Sequence, residues 1–163
     1  MIFRYTLTNG FNLDTVNSVV DFYNSLPEGC KVIFYISDYG GEVQSLVLIK
    51  DIIENSGFDT ELVGAYTMQS SAISLFIMCK NVEKRLTDFC TGIIHNISYL
   101  MESRDINKSN YLKDYVDYMN TYIYDILKDN KILNSKELES YNKGEDVYLN
   151  CKKMNKLLTI INK

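Results

Sequence analysis

The chain contains no tryptophan, one proline and one histidine in 163 residues. A single imidazole means that any histidine-dependent chemistry falls to His95. The four cysteines, Cys30, Cys79, Cys90 and Cys151, have no paired short spacing such as C-x-x-C. With one histidine they offer no local ligand pair, so neither zinc nor another metal is expected. They read as reduced core thiols of a cytosolic protein. There is no basic excess: 17 Lys and Arg stand against 21 Asp and Glu, a net charge of −4. Nucleic acid is therefore not expected as the main partner. No apolar run approaches a membrane span. The opening Met1-Ile2-Phe3-Arg4-Tyr5-Thr6 lacks the charged segment and long apolar segment of a signal peptide. A cytoplasmic location without a membrane partner is the expectation. G-x-G-x-x-G and Gly-Lys-Ser/Thr are both missing, which removes the dinucleotide fingerprint and the P-loop. No cofactor is expected.

What is present suits a globular protein, with 46% hydrophobic and 23% charged residues. The length predicts one domain over 1–163, and no repeat, linker or low-complexity tract divides it. Thirteen tyrosines, with many Asn and Lys, point to an AT-rich coding sequence rather than to a fold. Residues 3–8 form a candidate strand, and Asn9-Gly10 is a turn signal. Asn12 or Asp14 can cap a helix to about Ser25, with Val16, Val19, Val20 and Tyr23 at helical spacing. Lys31 to Ser37 is a nearly all-apolar strand of the kind buried in parallel sheets. A helix over 42–55, a strand over 60–66 and a helix opening at Ser70 follow. Arg85-Leu86 and Thr91 to Ile94 read as short strands. This alternation predicts an α/β fold with a largely parallel sheet. Beyond His95, residues 108–128 carry apolar or aromatic side chains at 112, 115, 116, 119, 122, 123, 126 and 127, a long amphipathic helix with Tyr118 and Tyr124 off its stripe. A short helix from Ser135, a strand over 146–149 and a helix from Cys151 to Lys163 complete the chain.

Four segments could carry chemistry. Ser70 falls where a strand ends and a helix begins, so free N–H groups and the positive helix end surround its hydroxyl. The ordinary explanation of a serine there is capping. A nucleophile is the alternative, and Ser71 competes for that role in the same turn. His95 ends a buried strand, where α/β sheets place functional groups, although lone histidines more often serve as hydrogen-bonded rim residues. Gly40-Gly41 lets backbone approach a ligand closely, or simply makes a tight turn. Asp146 is a turn residue or the acid that orients an imidazole.

Together these segments resemble the Clp protease proteolytic subunit (ClpP-like) family of serine peptidases, within the ClpP/crotonase superfamily, and especially its compact phage and mobile-element versions. Ile36-Ser37-Asp38-Tyr39-Gly40-Gly41-Glu42-Val43 is similar to the family's Ser-x-Gly-Gly-x-Val segment, with Tyr39 where proline is usual. Gln69-Ser70-Ser71-Ala72 is similar to its nucleophile turn, Gly92-Ile93-Ile94-His95-Asn96 to its histidine strand, and Lys143 to Leu149 to its aspartate segment. The resemblance runs from about Thr6 to Leu158. It implies ClpP/crotonase-like repeated β-β-α units, a mostly parallel sheet and a handle-type long helix. It also implies Ser70 as nucleophile, His95 as general base, Asp146 as orienting acid, and the Gly41 and Ser71 N–H groups as oxyanion hole. Counting from Gly64 would put Met68 at the nucleophile position. The apolar phase of Leu75 to Met78 and the spacing to the histidine (95 − 70 = 25) select Ser70.

The reading that follows is a serine endopeptidase acting on peptide or protein substrates through an acyl-enzyme, assembled as a homo-oligomeric ring whose handle mediates stacking. An AAA+ unfoldase is a partner the family allows, but the N-terminal extension that would dock it is essentially absent. Two other readings stand beside it: a catalytically silent assembly or scaffold subunit, and a crotonase-like acyl-CoA enzyme.

Overall fold

A computed structural model describes residues 1–97 and 106–162. Residues 98–105 and Lys163 of the expected 1–163 domain lie outside the described residues. In chain order the elements are β1 (Ile2–Leu7), α1 (Leu13–Asn24), β2 (Lys31–Asp38), α2 (Val43–Asn55), β3 (Asp59–Gln69), α3 (Ser71–Met78), β4 (Glu83–Leu86), β5 (Thr91–Ile94), α4 (Ile106–Asp129), α5 (Ser135–Asn142), β6 (Val147–Leu149) and α6 (Cys151–Ile161). The strands form one sheet in the order β1-β2-β3-β5-β6, with β4 paired to β3. Every pairing is parallel except that of β5 with β6. This is the mostly parallel α/β architecture that strand–helix alternation predicts.

The local reasons are legible in the residues. Asn12, not Asp14, caps α1: its side chain accepts from Thr15 N at 2.9 Å. Val16, Val19 and Tyr23, with Thr15, are the buried face of that helix, whereas Val20, one position past Val19, turns to solvent. Tyr23 stacks on Phe34 of β2 with ring centroids 5.8 Å apart. The apolar run of β2 buries Val32, Phe34 and Ile36 completely. Helix α3 is buried along its whole length, which is why its pattern is apolar all round. It touches β2, β3 and β5 as well as α2. Gly92 of β5 lies under Ile73 of α3 and Met154 of α6, so both helices cover the same side of that strand.

Strand β3 is longer than its pattern predicts. It runs on past Tyr66 to Gln69, and its two halves have different partners. Glu61 to Gly64 pair with β4, and Thr67 to Gln69 pair with β5. Between them Tyr66 takes φ of 54°, a left-handed conformation that a bulky residue rarely adopts. Against β2 the register jumps from Ile36↔Gly64 to Asp38↔Met68. Four steps along β3 (68 − 64) thus oppose two along β2 (38 − 36), a bulge holding two surplus residues.

The long helix α4 buries Val116, Met119, Ile123 and Leu127, the stripe that its spacing predicts. Of the two tyrosines read as off that stripe, Tyr118 is 50% exposed. Tyr124 is not free: it is half-buried, and its ring stacks on Tyr141 of α5 at 6.3 Å. Its partner comes from another element, so helical periodicity alone could not reveal the contact.

Candidate active site

The bulge of β3 delivers the chain into α3 through Ser70. That residue has φ of 51° and ψ of −119° and makes no side-chain capping bond. The capping explanation for this serine therefore does not apply; Asn12, Asn134 and Asn150 by contrast cap α1, α5 and α6 with their side chains. A non-glycine residue in that region costs about 1–3 kcal/mol and persists only where its surroundings impose it. The imposing contact is visible: Ser70 N donates to Ile93 O at 3.0 Å, extending the β3–β5 ladder one step beyond Gln69↔Ile93. Met68 is completely buried in β3, and a methyl added at Gly64 would lie 2.6 Å from its Cε atom. It belongs to the core.

The β5–β6 ladder pairs Gly92 with Leu149, Ile93 with Tyr148 and Ile94 with Val147. One step beyond the last pair come His95 and Asp146. Ser70 and His95 follow the C-terminal ends of the parallel strands β3 and β5, and Asp146 precedes the antiparallel β6, so the three arrive at the same end of the sheet. His95 is half-buried and Asp146 is exposed. The imidazole Nδ1 lies 2.9 Å from the Asn96 carbonyl oxygen. A carbonyl only accepts, so Nδ1 carries the proton and Nε2 is left as the basic nitrogen. Among the described residues, no hydrogen bond links Asp146 to His95, or His95 to Ser70. Cys30, Cys79 and Cys90 are core thiols as expected, while Cys151 is half-buried; burial pushes the Cys79 thiol up to about 12 and the Cys90 thiol up to about 11.

The Gly40-Gly41 turn packs directly on the serine turn. A methyl on Gly40 would lie 2.8 Å from Ser70 Cβ and 2.9 Å from Ser71 N. Ser71, the competing hydroxyl, is 1% exposed, and its Oγ donates to Gly41 O at 2.8 Å. That hydroxyl is engaged, whereas Ser70 Oγ has no hydrogen-bond partner among the described residues. The backbone N–H groups of Gly41 and Ser71 likewise donate to no described protein group.

Two contributors escaped the sequence reading. Asp38, 1% exposed, accepts from Gly40 N at 2.7 Å and from Gly10 N at 2.8 Å. Its position beside Gly40-Gly41 was the one available signal. Asn120 of α4 brackets Ile97, accepting from its N–H at 2.9 Å and donating to its carbonyl at 3.0 Å. This fork ties the backbone two residues after His95 to the long helix. Asn120→Ala strips both partners and is expected to lower stability by about 2 kcal/mol. It should also slow reaction at the site severalfold; urea titration and probe-labelling rates check the two effects.

No family model matches the chain, and no curated protein matches it. Among solved structures it is similar to the ClpP protease catalytic domain from Plasmodium falciparum, with a TM-score of 0.62 and 17% identity over 96% of this chain and 80% of that one. The fold is therefore ClpP-like, a mixed α/β fold with a mostly parallel sheet. No helix among the described residues is long and apolar enough to cross a membrane.

Proposed function

We propose that this chain is a ClpP-like serine peptidase in which Ser70 is the nucleophile, His95 the general base and Asp146 the acid that supports the imidazolium. Ser70 carries the reading: a strained residue at a strand-to-helix turn, with an uncapped hydroxyl, one ladder step from the strand that ends in the only histidine. Strain of this kind concentrates at functional sites.

Ser70 Oγ attacks the peptide carbonyl, and His95 Nε2 takes its proton. Negative charge on the carbonyl oxygen is met by the Gly41 and Ser71 N–H groups, each worth about 3 kcal/mol in such a role. The protonated imidazole returns its proton to the leaving amine, which leaves an ester on Ser70. Water, activated by the same nitrogen, hydrolyses that ester and restores the hydroxyl. The Asn96 carbonyl holds the starting tautomer, and the negative charge of Asp146, at the same end of the sheet, favours the imidazolium that forms. Protein or peptide substrates and a homo-oligomeric ring belong to this reading through the fold it shares with the ClpP catalytic domain.

The test is a fluorophosphonate probe followed by peptide mass spectrometry. An adduct on Ser70, absent from His95→Ala, supports the triad. A second reading, a silent assembly subunit, draws on the exposed Asp146 and its lack of a bond to His95. Assembled, folded protein that never takes up the probe would favour it.

A further inference from the structure

The Gly40-Gly41 turn is fastened at nearly every polar atom it has. Gly40 N donates to Asp38 Oδ1 at 2.7 Å. Gly40 O accepts from Phe11 N at 3.0 Å, and Glu42 N donates to Phe11 O at 2.8 Å. Gly41 O accepts from Ser71 Oγ at 2.8 Å. Asp38 Oδ2 holds Gly10 N at 2.8 Å, so the strap carrying Phe11 is fixed by the same carboxylate. From Gly40 to Glu42, only the Gly41 N–H is left without a described partner. In a trans peptide that N–H points away from the preceding carbonyl, which is turned to Phe11. The unspent donor therefore projects from the opposite side of that peptide.

We propose that the Ser71 hydroxyl and the Asp38 carboxylate are positioning residues that hold the Gly41 N–H in a preset direction, so that the donor need not reorganise when charge develops beside Ser70. This rests on the peptidase reading above. Ser71 does two separate things: its N–H is a donor of the oxyanion hole, and its Oγ sets the other donor. The hydroxyl bond links the helix turn carrying the nucleophile to the turn carrying the second donor, so the two move as one body. Preorganised donors act in the transition state rather than on bound substrate. The effect of loosening them is expected in kcat, with KM little changed.

The experiment uses the full chain, hydrolysis of a p-nitrophenyl ester, and fluorophosphonate titration to count active sites. Ser71→Ala keeps the backbone N–H and removes only the clamp. It is expected to lower kcat per titrated site by about tenfold or more, within the range of a misdirected donor, with KM within about twofold of the parent. Ser71→Thr restores a hydroxyl and should recover most of the loss. A purely structural role would instead reduce the number of titratable sites while leaving the rate at each site intact, and that result would overturn the proposal. So would a Ser71→Ala enzyme equal to the parent in both. If Ser71→Ala does not fold, Asp38→Asn carries the same prediction, because its amide can satisfy one of the two N–H groups but not both. A parent protein that labels at Ser70, with variants that do not differ from it, sinks the clamp and leaves the peptidase reading standing. A folded parent that neither labels nor hydrolyses the ester sinks both.

Discussion

Replacing Ser70 by glycine is expected to make the protein more stable and chemically inert. Ser70 holds φ of 51° and ψ of −119°, where an L side chain is strained and glycine is at ease. Glycine loses the hydroxyl but keeps the N–H that bonds Ile93 O and keeps the path of the chain into α3. Relief of strain should outweigh the greater freedom of glycine in the unfolded chain and leave a net gain of about 1 kcal/mol. For a chain of this size that is a rise of about 2–4 °C in melting temperature. Covalent labelling should vanish, and ester hydrolysis should fall by about 10⁴-fold or more. Ser70→Ala is the matched control. It is equally inert, but its Cβ retains the strain, so its melting temperature should stay near that of the parent. Calorimetry on the three proteins checks both parts. Full turnover in either variant would remove Ser70 from the mechanism.

Gly41→Ala is expected to have the largest effect on structure and chemistry together. Gly41 takes φ of 147°, and an added methyl would sit 2.5 Å from Phe11 O and 2.8 Å from Phe11 N. Neither obstacle is the yielding end of a side chain. Both are backbone atoms, in a strap already bonded to Gly40 and Glu42. The turn must move, and the bonds it makes to Phe11 and Ser71 must break or bend. The expected cost is about 3–4 kcal/mol, which adds the conformational and overpacking contributions, or roughly a 10 °C fall in melting temperature. With the Gly41 N–H displaced, labelling at Ser70 should slow by about 10²–10³-fold even below the new melting temperature. An alanine variant that melts with the parent and labels at its rate would show that the turn is slack, against every contact described for it.

Most of the scaffold could be read from local pattern because local pattern caused it. The spacing of Val16, Val19 and Tyr23, the apolar run of β2 and the stripe of α4 are direct records of which side faces the core. What was hidden came from contacts distant in sequence. The second half of β3 is held by β5, and the left-handed turn at Tyr66 leaves no trace in the order of residues. Tyr124 was out of phase with its own helix because it packs on α5. Asp38 carried no signal beyond its place beside Gly40-Gly41, because its second partner, Gly10, lies 28 positions earlier in the chain. The Ser70, His95 and Asp146 segments were visible as a set of resemblances in a fixed order. The hydrogen bond of His95 to Asn96 O and the engagement of Ser71 by Gly41 were not, since both are set by the direction of backbone carbonyls.

The three-rung ladder between β5 and β6 makes the position of Asp146 a matter of counting. Side chains alternate along a strand, so a slip of β6 by one residue would turn Asp146 to the far face and bring Glu145 or Val147 abreast of His95. What opposes the slip is hydrophobic: Val147 and Leu149 are buried while Tyr148 between them is exposed, and Asn150 then starts α6 by accepting from Lys153 N. Asp146 is thus placed by its bond to Val147 rather than by the length of the turn before it. A residue inserted between Asp146 and Val147 would leave Val147 and Leu149 free to stay buried, yet would set the carboxylate out of step with the imidazole. Insertions earlier in the turn, between Lys143 and Glu145, should be absorbed by that exposed loop and leave the carboxylate in place.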